Sequence, residues 1–416
     1  MGTSDQPHKG HLTRDLLRSQ LVEYFVQDAS SSQYLGLELE HFVVKRDTNE
    51  FVSYFGTYGV HYILQQLQPL YIDTMLEDGY LLGLGRPNIT ISLEPGAQLE
   101  VSIGKFETVE QIAIEYDKFC REINPILDQL GYQLVNLGYH PTARAQDIPL
   151  LPKLRYRYMD DRFGAQGGLG MQMMRATCAT HVTIDYVDSI DFGNKYRLAS
   201  LLVPILAYLT DNCVAYEGAS AGIMTRMKIW QHTDTPRSGF VPHSFDPTFG
   251  LNDYSEYLLD MSPMFVYIEG KLQLESGSVA DYYSQHGFED EDTISHVLSI
   301  VFPHVRVKKY LEIRAADSLP IHQALGYVSL IKGIFYNSDN ISKLLERFQG
   351  LRLCDAEEAI IQLQQHGKDA VVYGTNIQEL CDYLVALAKE GSGVDADARY
   401  IDNIILQDGL RTHNKC

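Results

Sequence analysis

Three stretches of this 416-residue chain place carboxylates on strands otherwise built of aliphatics. In Gly36-Leu37-Glu38-Leu39-Glu40 the strand period of two puts Glu38 and Glu40 on one face and the leucines on the other. Glu94 and Glu100 flank the turn Pro95-Gly96, and Glu312 shares a face with Arg314 in Tyr310-Leu311-Glu312-Ile313-Arg314. Singly, each is a solvated glutamate or a surface ion pair of about 0–1 kcal/mol. Together, hard oxygen donors from separate strands suit magnesium, which prefers carboxylates plus substrate phosphates. Cations so held stabilise the charge of phosphoryl transfer. His181, in Thr180-His181-Val182-Thr183, offers a nitrogen ligand, although a lone strand histidine is more often a hydrogen-bonded core residue.

The net charge sharpens this reading. With 34 basic and 54 acidic residues the chain carries −20, which disfavours nucleic acid and anionic lipid as partners. An enzyme using a nucleotide must still bind anions, through metals on carboxylates or through local cations. Such cations gather between the acidic strands: Lys153, Arg155, Arg157, Arg175, Arg226, Lys228 and Arg237. Arginine forks grip phosphate or an α-carboxylate bidentately. Trp230, the single tryptophan, stands in Lys228-Ile229-Trp230-Gln231-His232-Thr233-Asp234, read as loop. The six cysteines, Cys120, Cys178, Cys213, Cys354, Cys381 and Cys416, show neither C-x-x-C nor zinc-like spacing and read as reduced structural thiols. Met1–Leu12 is polar, and no apolar run approaches the roughly 20 residues of a membrane span, so a soluble cytoplasmic protein is expected.

The elements that must position these residues can be read from periodicity. Thr13–Gln27 reads as an amphipathic helix and Tyr34–Lys45 as a strand; Tyr58–Leu70 is a helix ended near Pro69. Tyr80–Leu84, Asn88–Leu93 and Gln98–Ile103 form a hairpin-like unit, before a long helix over Val109–Gly131. Tyr132–Tyr139 and Thr180–Tyr186 are strands separated by a basic loop, His140–Arg162, and a mobile glycine-rich stretch, Gly164–Gly170. A helix over Asn194–Asn212 precedes the irregular, aromatic stretch Ala215–Asp253, of a length that is usually functional. Val305–Ala315 returns to strand, and helices dominate from His322 onward. With no repeat, no linker and no glycine-rich phosphate fingerprint, one large α+β domain over residues 1–416 is expected.

In this order the segments resemble the plant and proteobacterial branch of the glutamate–cysteine ligase family. The specific matches are Ile91–Glu100, Asp147–Lys153, Ile229–Asp234, Phe302–Lys308 and Tyr310–Asp317, within a likeness running from about Leu12 to Pro320. The resemblance implies an antiparallel sheet curved into an open funnel or half-barrel, glutamine-synthetase-like and surrounded by helices, with a helical part over 321–416 packed on it. It implies two or three magnesium ions on Glu38, Glu40, Glu94, Glu100, His181 and Glu312, and Arg314 as the phosphate-stabilising arginine. Arg226 and Arg237 match loop arginines near glutamate or the transferred phosphate; Lys153, Arg155, Arg175, Trp230 and Thr183 are comparable binding candidates. The implied reaction is ATP-dependent coupling of glutamate to cysteine through γ-glutamyl phosphate. A related ligase for another carboxylate or amine, a catalytically silent relative and a phosphagen-type kinase are the alternatives.

Departures bear on the acceptor amine. Plant members have Gln and Asn where this chain has His181 and Thr183, a glycine pair where it has Ser318-Leu319, and commonly Arg at Ala176. The sequence leaves the oligomeric state open.

Overall fold

The structure is a computed structural model that describes residues 11–27, 33–268, 271–288, 290–392 and 396–405; Met1–Gly10 and Cys416 lie outside this set. Among the described residues the fold is organised around a nine-stranded sheet whose adjacent strands are all antiparallel. The strands are β1 (Leu35–Lys45), β2 (Asp73–Glu77), β3 (Tyr80–Arg86), β4 (Ile89–Leu93), β5 (Leu99–Phe106), β6 (Tyr132–Val135), β7 (Ala179–Ile184), β8 (Val305–Val307) and β9 (Leu311–Asp317). Their order is β8-β9-β7-β1-β5-β4-β3-β2, with β6 continuing beside the far end of β1; the sheet does not close.

Alternation within the strands decides which face is which. Leu35, Leu37 and Leu39 of β1 are at most 1% exposed and face the helices, while Glu38 and Glu40 point the other way. On the helical side lie α2 (Val60–Leu67), α3 (Val109–Leu130), α6 (Ser189–Leu209) and the first helix of the C-terminal part, Ile321–Phe335, while α1 (Arg14–Val26) packs on the helices Leu251–Asp260 and Val279–His286. α3 starts with a reciprocal Thr108–Gln111 capping box and ends on Gly131 at φ 70°, a left-handed position suited to glycine. His41, on the leucine face, is locked between the Leu99 carbonyl and the Tyr116 hydroxyl of α3, which sets the register of helix on sheet. The helices from Ile321 onward pack on this layer through Ile321–Phe335, which touches α3, β1 and β7, and through the later helices, which touch α6.

Three expectations need correction. The last part of the segment read as a basic loop, from Leu154 onward, is helix α4 (Leu154–Gln166); its charges hide an apolar face of Tyr156, Met159 and Phe163 at helical spacing. The glycine-rich stretch is the tail of α4 and the link into α5 (Gly170–Ala176), fastened where the Leu169 N–H donates to the His232 carbonyl. Trp230 is not in a loop but in α7 (Thr225–Gln231), inside the supposedly irregular region. β2, an edge strand, was not foreseen. It is almost wholly exposed and carries no alternating burial to betray it.

Candidate functional site

The polar face of the sheet forms the floor of a cavity of about 290 Å³. Glu38 and Glu40 reach it from β1, Ser92 from β4, Glu100 from β5, His181 from β7 and Arg314 from β9. Glu94 joins them from a tight turn. Its N–H donates to the Gln98 carbonyl, and any β-carbon on Gly96 would lie 2.3 Å from the Arg175 carbonyl oxygen. Register does the gathering: Glu38 pairs with both His181 and Ser102, and Glu40 with Glu100, so residues distant in sequence meet across adjacent strands.

The roof consists of α4, α5 and α7. α4 contributes Tyr156 and Met159, with Arg155 and, just before it, Lys153; the Tyr156 hydroxyl donates to the Leu93 carbonyl and ties roof to floor. α5 adds Met173 and Met174, and α7 adds Arg226 and Trp230. A second cavity of about 390 Å³ shares Glu38 and continues along the sheet past Gly36, Thr183 and Lys105 to Tyr34, Lys309 and Tyr310.

Two electrostatic regimes meet at the floor. Glu312 is fully buried and clamped: Arg306 donates to both of its oxygens (2.6 and 3.0 Å), Arg314 to one (2.9 Å), and Lys308 lies 3.1 Å from the other. Burial opposes its charge, but Arg306, Lys308 and Arg314 outweigh that and hold its carboxyl well below the ordinary range. Burial and Glu312 likewise oppose charge on Glu38, yet Lys308 and His181 leave its pKa lowered. Further along the floor the balance reverses. Burial, then the neighbouring Glu94 and Glu100, raises Glu40 well above the ordinary value; burial, then Glu38 and Glu94, pushes Glu100 up to about 8. Glu94 is raised chiefly by burial. Burial, helped by Arg314, lowers His181 to about 4, so it is a neutral donor at physiological pH.

A metal test can be made on this geometry. One ligand atom each from Glu38, His181 and Glu312 lies within 4.8 Å of the others. His181 Nδ1 contacts Glu38 Oε2 at 3.0 Å, while its Nε2 is buried without a protein partner. Two carboxylates and a neutral imidazole suit a divalent ion. Other buried donors on the cavity walls also lack protein partners: Arg155 Nε, Arg226 Nε and Trp230 Nε1. Buried polar groups are normally satisfied, and these four are free to meet a bound ligand.

A profile describing glutamate–cysteine ligase family 2 matches residues 34–338. The chain belongs to the glutamate–cysteine ligase family. The chloroplastic glutamate–cysteine ligase of Arabidopsis thaliana is 31% identical over 291 residues, 66% of this chain and 54% of that protein. Glutamate–cysteine ligase A of Oryza sativa subsp. japonica, also chloroplastic, is 28% identical over 400 residues, covering 91% and 79%. The chain thus spans about half the length of the Arabidopsis relative. A crystal structure of the Francisella tularensis glutamate–cysteine ligase in complex with AMP has the same fold, with a TM-score of 0.54 at 11% identity over 91% of this chain and 81% of that one.

Of the residues singled out by the family resemblance, Glu38, Glu40, Glu94, Glu100, His181, Lys153, Arg155, Arg226, Trp230 and Arg314 all line the smaller cavity. Thr183 lines the adjoining one, and Glu312, fully buried, lines neither and lies behind its three cations. Two arginines are elsewhere. Arg237 is 2% exposed, and its N–H groups go to Asp234, the Ile300 carbonyl and the Ser262 carbonyl; it fastens a one-turn helix, Thr235–Ser238, to the segments behind it. Arg175 points to Asp160 and the Ile148 carbonyl and shapes the Glu94–Gln98 turn only through its backbone. The departures from the plant pattern are accommodated: Ser318 donates to the Glu40 carbonyl from below, and Ala176 is fully buried.

Arg306 and Lys308 were missed, although Val305-Arg306-Val307-Lys308 alternates cleanly. Register sets Arg306 opposite Glu312, Lys308 reaches the same carboxylate from just past β8, and one strand read alone does not show its partner.

Proposed function

We propose that this protein is an ATP- and magnesium-dependent ligase that joins the γ-carboxylate of glutamate to the amine of cysteine. The observation that carries the reading is one cavity in which acids from β1, β5 and the β4–β5 turn face cations and partnerless donors from the roof. The family membership and an AMP-bound relative of the same fold support a nucleotide substrate. The larger cavity, with Tyr34 and Tyr310 beside Lys105 and Lys309, suits base, ribose and phosphate tail. The smaller one suits two amino acids, with Lys153, Arg155 and Arg226 for their α-carboxylates.

The two share Glu38, beside which lie His181, Glu312 and Arg314. There a γ-carboxylate oxygen attacks the γ-phosphorus as the bond to ADP breaks, giving an acyl phosphate. The neutral amine then attacks the acyl carbon, and phosphate and a proton leave. Arg314, 10% exposed and aimed by Glu312, is placed to steady charge on the transferred group. Magnesium held by Glu38, His181 and Glu312, with Glu40, Glu94 and Glu100 for a further ion, would add positive charge on the phosphate oxygens. The α4–α5–α7 roof keeps out water, which would hydrolyse the acyl phosphate.

Cysteine is favoured by the character of the roof. Met159, Met173 and Met174, with Phe302 and Pro95, form an apolar, polarizable wall. A thiol rests on such a wall without loss, whereas a hydroxyl leaves a hydrogen bond unmade. The test is ADP release with glutamate and magnesium against a panel of amines, with mass spectrometry of products. Cysteine-dependent γ-glutamylcysteine is expected. ADP release that no amine stimulates would overturn the reading.

A further inference from the structure

Lys308 occupies a singular place in the cation clamp. It follows β8 directly, in the tight connection to β9, where its N–H donates to the Tyr310 carbonyl. Its ammonium lies 3.1 Å from Glu312 Oε1 and 3.8 Å from Glu38 Oε1. It therefore bridges two of the three side chains, Glu38, His181 and Glu312, that close to metal-binding distance. The other two cations are held differently. Arg306 makes a two-pronged bond to Glu312, and Arg314 is 10% exposed with His181 beside it. Lys308 makes no fork, is 29% exposed and also lines the cavity.

We propose that Lys308 is a place-holding cation: it neutralises Glu38 and Glu312 until a metal–nucleotide complex arrives, yields those oxygens to the metal, and moves to the nucleotide's phosphates. The idea rests on the metal- and nucleotide-binding reading above and extends it. Each oxygen of Glu312 already has two cationic partners, so a metal ligand is available only if one leaves. A dication and an ammonium cannot share oxygens within about 4 Å without strong repulsion. Arg306, bidentate, is the harder to remove; Lys308, a point charge on a flexible stem, is the easier. Phosphate gives the displaced ammonium a new partner, and free metal does not. This end of the site therefore discriminates against bare metal and accepts metal already carried by nucleotide. Lys308 acts as a positioning residue and holds no metal itself.

The test measures binding. Free Mn²⁺ is titrated by electron paramagnetic resonance into the whole protein, with and without a non-hydrolysable ATP analogue, for wild type, Lys308→Met and Lys308→Arg. Thermal melts establish that each variant is folded. Lys308→Met, which keeps the stem and removes the charge, is expected to bind free Mn²⁺ at this site about tenfold more tightly or better, and the Mn²⁺–analogue complex more weakly. Lys308→Arg, which keeps a cation, should retain the weak free-metal binding of wild type. Wild type that binds the complex, with no gain in free-metal affinity in Lys308→Met, overturns the place-holder role alone. Wild type that binds neither metal nor complex overturns the proposed function and this inference with it.

Discussion

Changing a cavity carboxylate to its amide should move stability in opposite directions according to which acid is changed. Glu100 is the favourable case. Its carboxyl titrates near 8 in the folded protein against an ordinary 4.5, because burial and then Glu38 and Glu94 oppose its charge. A folded-state value raised for an acid means that the native state holds more protons than the unfolded chain between those two values. Stability therefore falls as pH rises through that window and is regained below it. From 4.5 to pH 7 the full linkage is about 3.4 kcal/mol, and water at the cavity mouth brings it nearer about 2. Glu100→Gln keeps the acceptor oxygen used by Ser92 (2.8 Å) and Ser102 (3.3 Å), so it should add about 2 kcal/mol at pH 7 and almost nothing near pH 4.5. Glu312→Gln should do the reverse. It leaves Arg306, Lys308 and Arg314 converging on a neutral amide, and breaking a buried ion pair costs about 3–5 kcal/mol. Urea titrations of the metal-free proteins at pH 7 and pH 4.5 measure both. Both variants should lose ADP release. A Glu100→Gln protein less stable than wild type at pH 7, or a Glu312→Gln protein as stable, would refute the two-regime account of the floor.

Metal binding at pH 7 should release protons, because Glu100 and Glu40 are raised and must ionise to serve as ligands; titration in weak buffer reads the release, and the share from Glu100 should vanish well above pH 8. Arg237→Ala should lower the melting temperature, by the loss of its buried bonds to Asp234, Ile300 and Ser262, while KM values of the folded fraction stay unchanged; a selective rise in one KM would return it to the site. Met173→Gln, which offers a hydroxyl a partner on the roof, should improve serine against cysteine in kcat/KM about tenfold, and an unchanged ratio would remove methionine from acceptor recognition.

The floor was legible in the sequence because strand chemistry is local. A period of two suffices to say that Glu38 and Glu40 share a face, and a Pro-Gly turn that Glu94 and Glu100 lie close. The convergence of those faces was carried by the family resemblance, since sheet order joins β1 to β5 and β7 across as many as about 140 residues, and no local pattern encodes that. The roof was illegible for a different reason. α4 mixes five charged residues among its thirteen, so its three apolar contacts were outvoted in any window average, and α5 and α7 are only seven residues each.

The two arginines show where residue type stops being informative. Arg226 and Arg237 are both almost wholly buried and both stand near an aspartate, and from sequence they are equivalent candidates for gripping an anion. What separates them is the supply of backbone acceptors. Arg237 finds two carbonyls within 3.1 Å besides Asp234, so its donors are spent. Arg226 has only long contacts of 3.4–3.5 Å to the Arg314 and Ala315 carbonyls, a 3.9 Å approach to Asp317, and a buried Nε with no protein partner. A guanidinium held in place but left unsatisfied is pre-organised for a carboxylate, because binding satisfies donors whose ordering was settled during folding. What separates the two arginines is thus hydrogen bonds left unmade, and these appear only once the surrounding carbonyls have been placed.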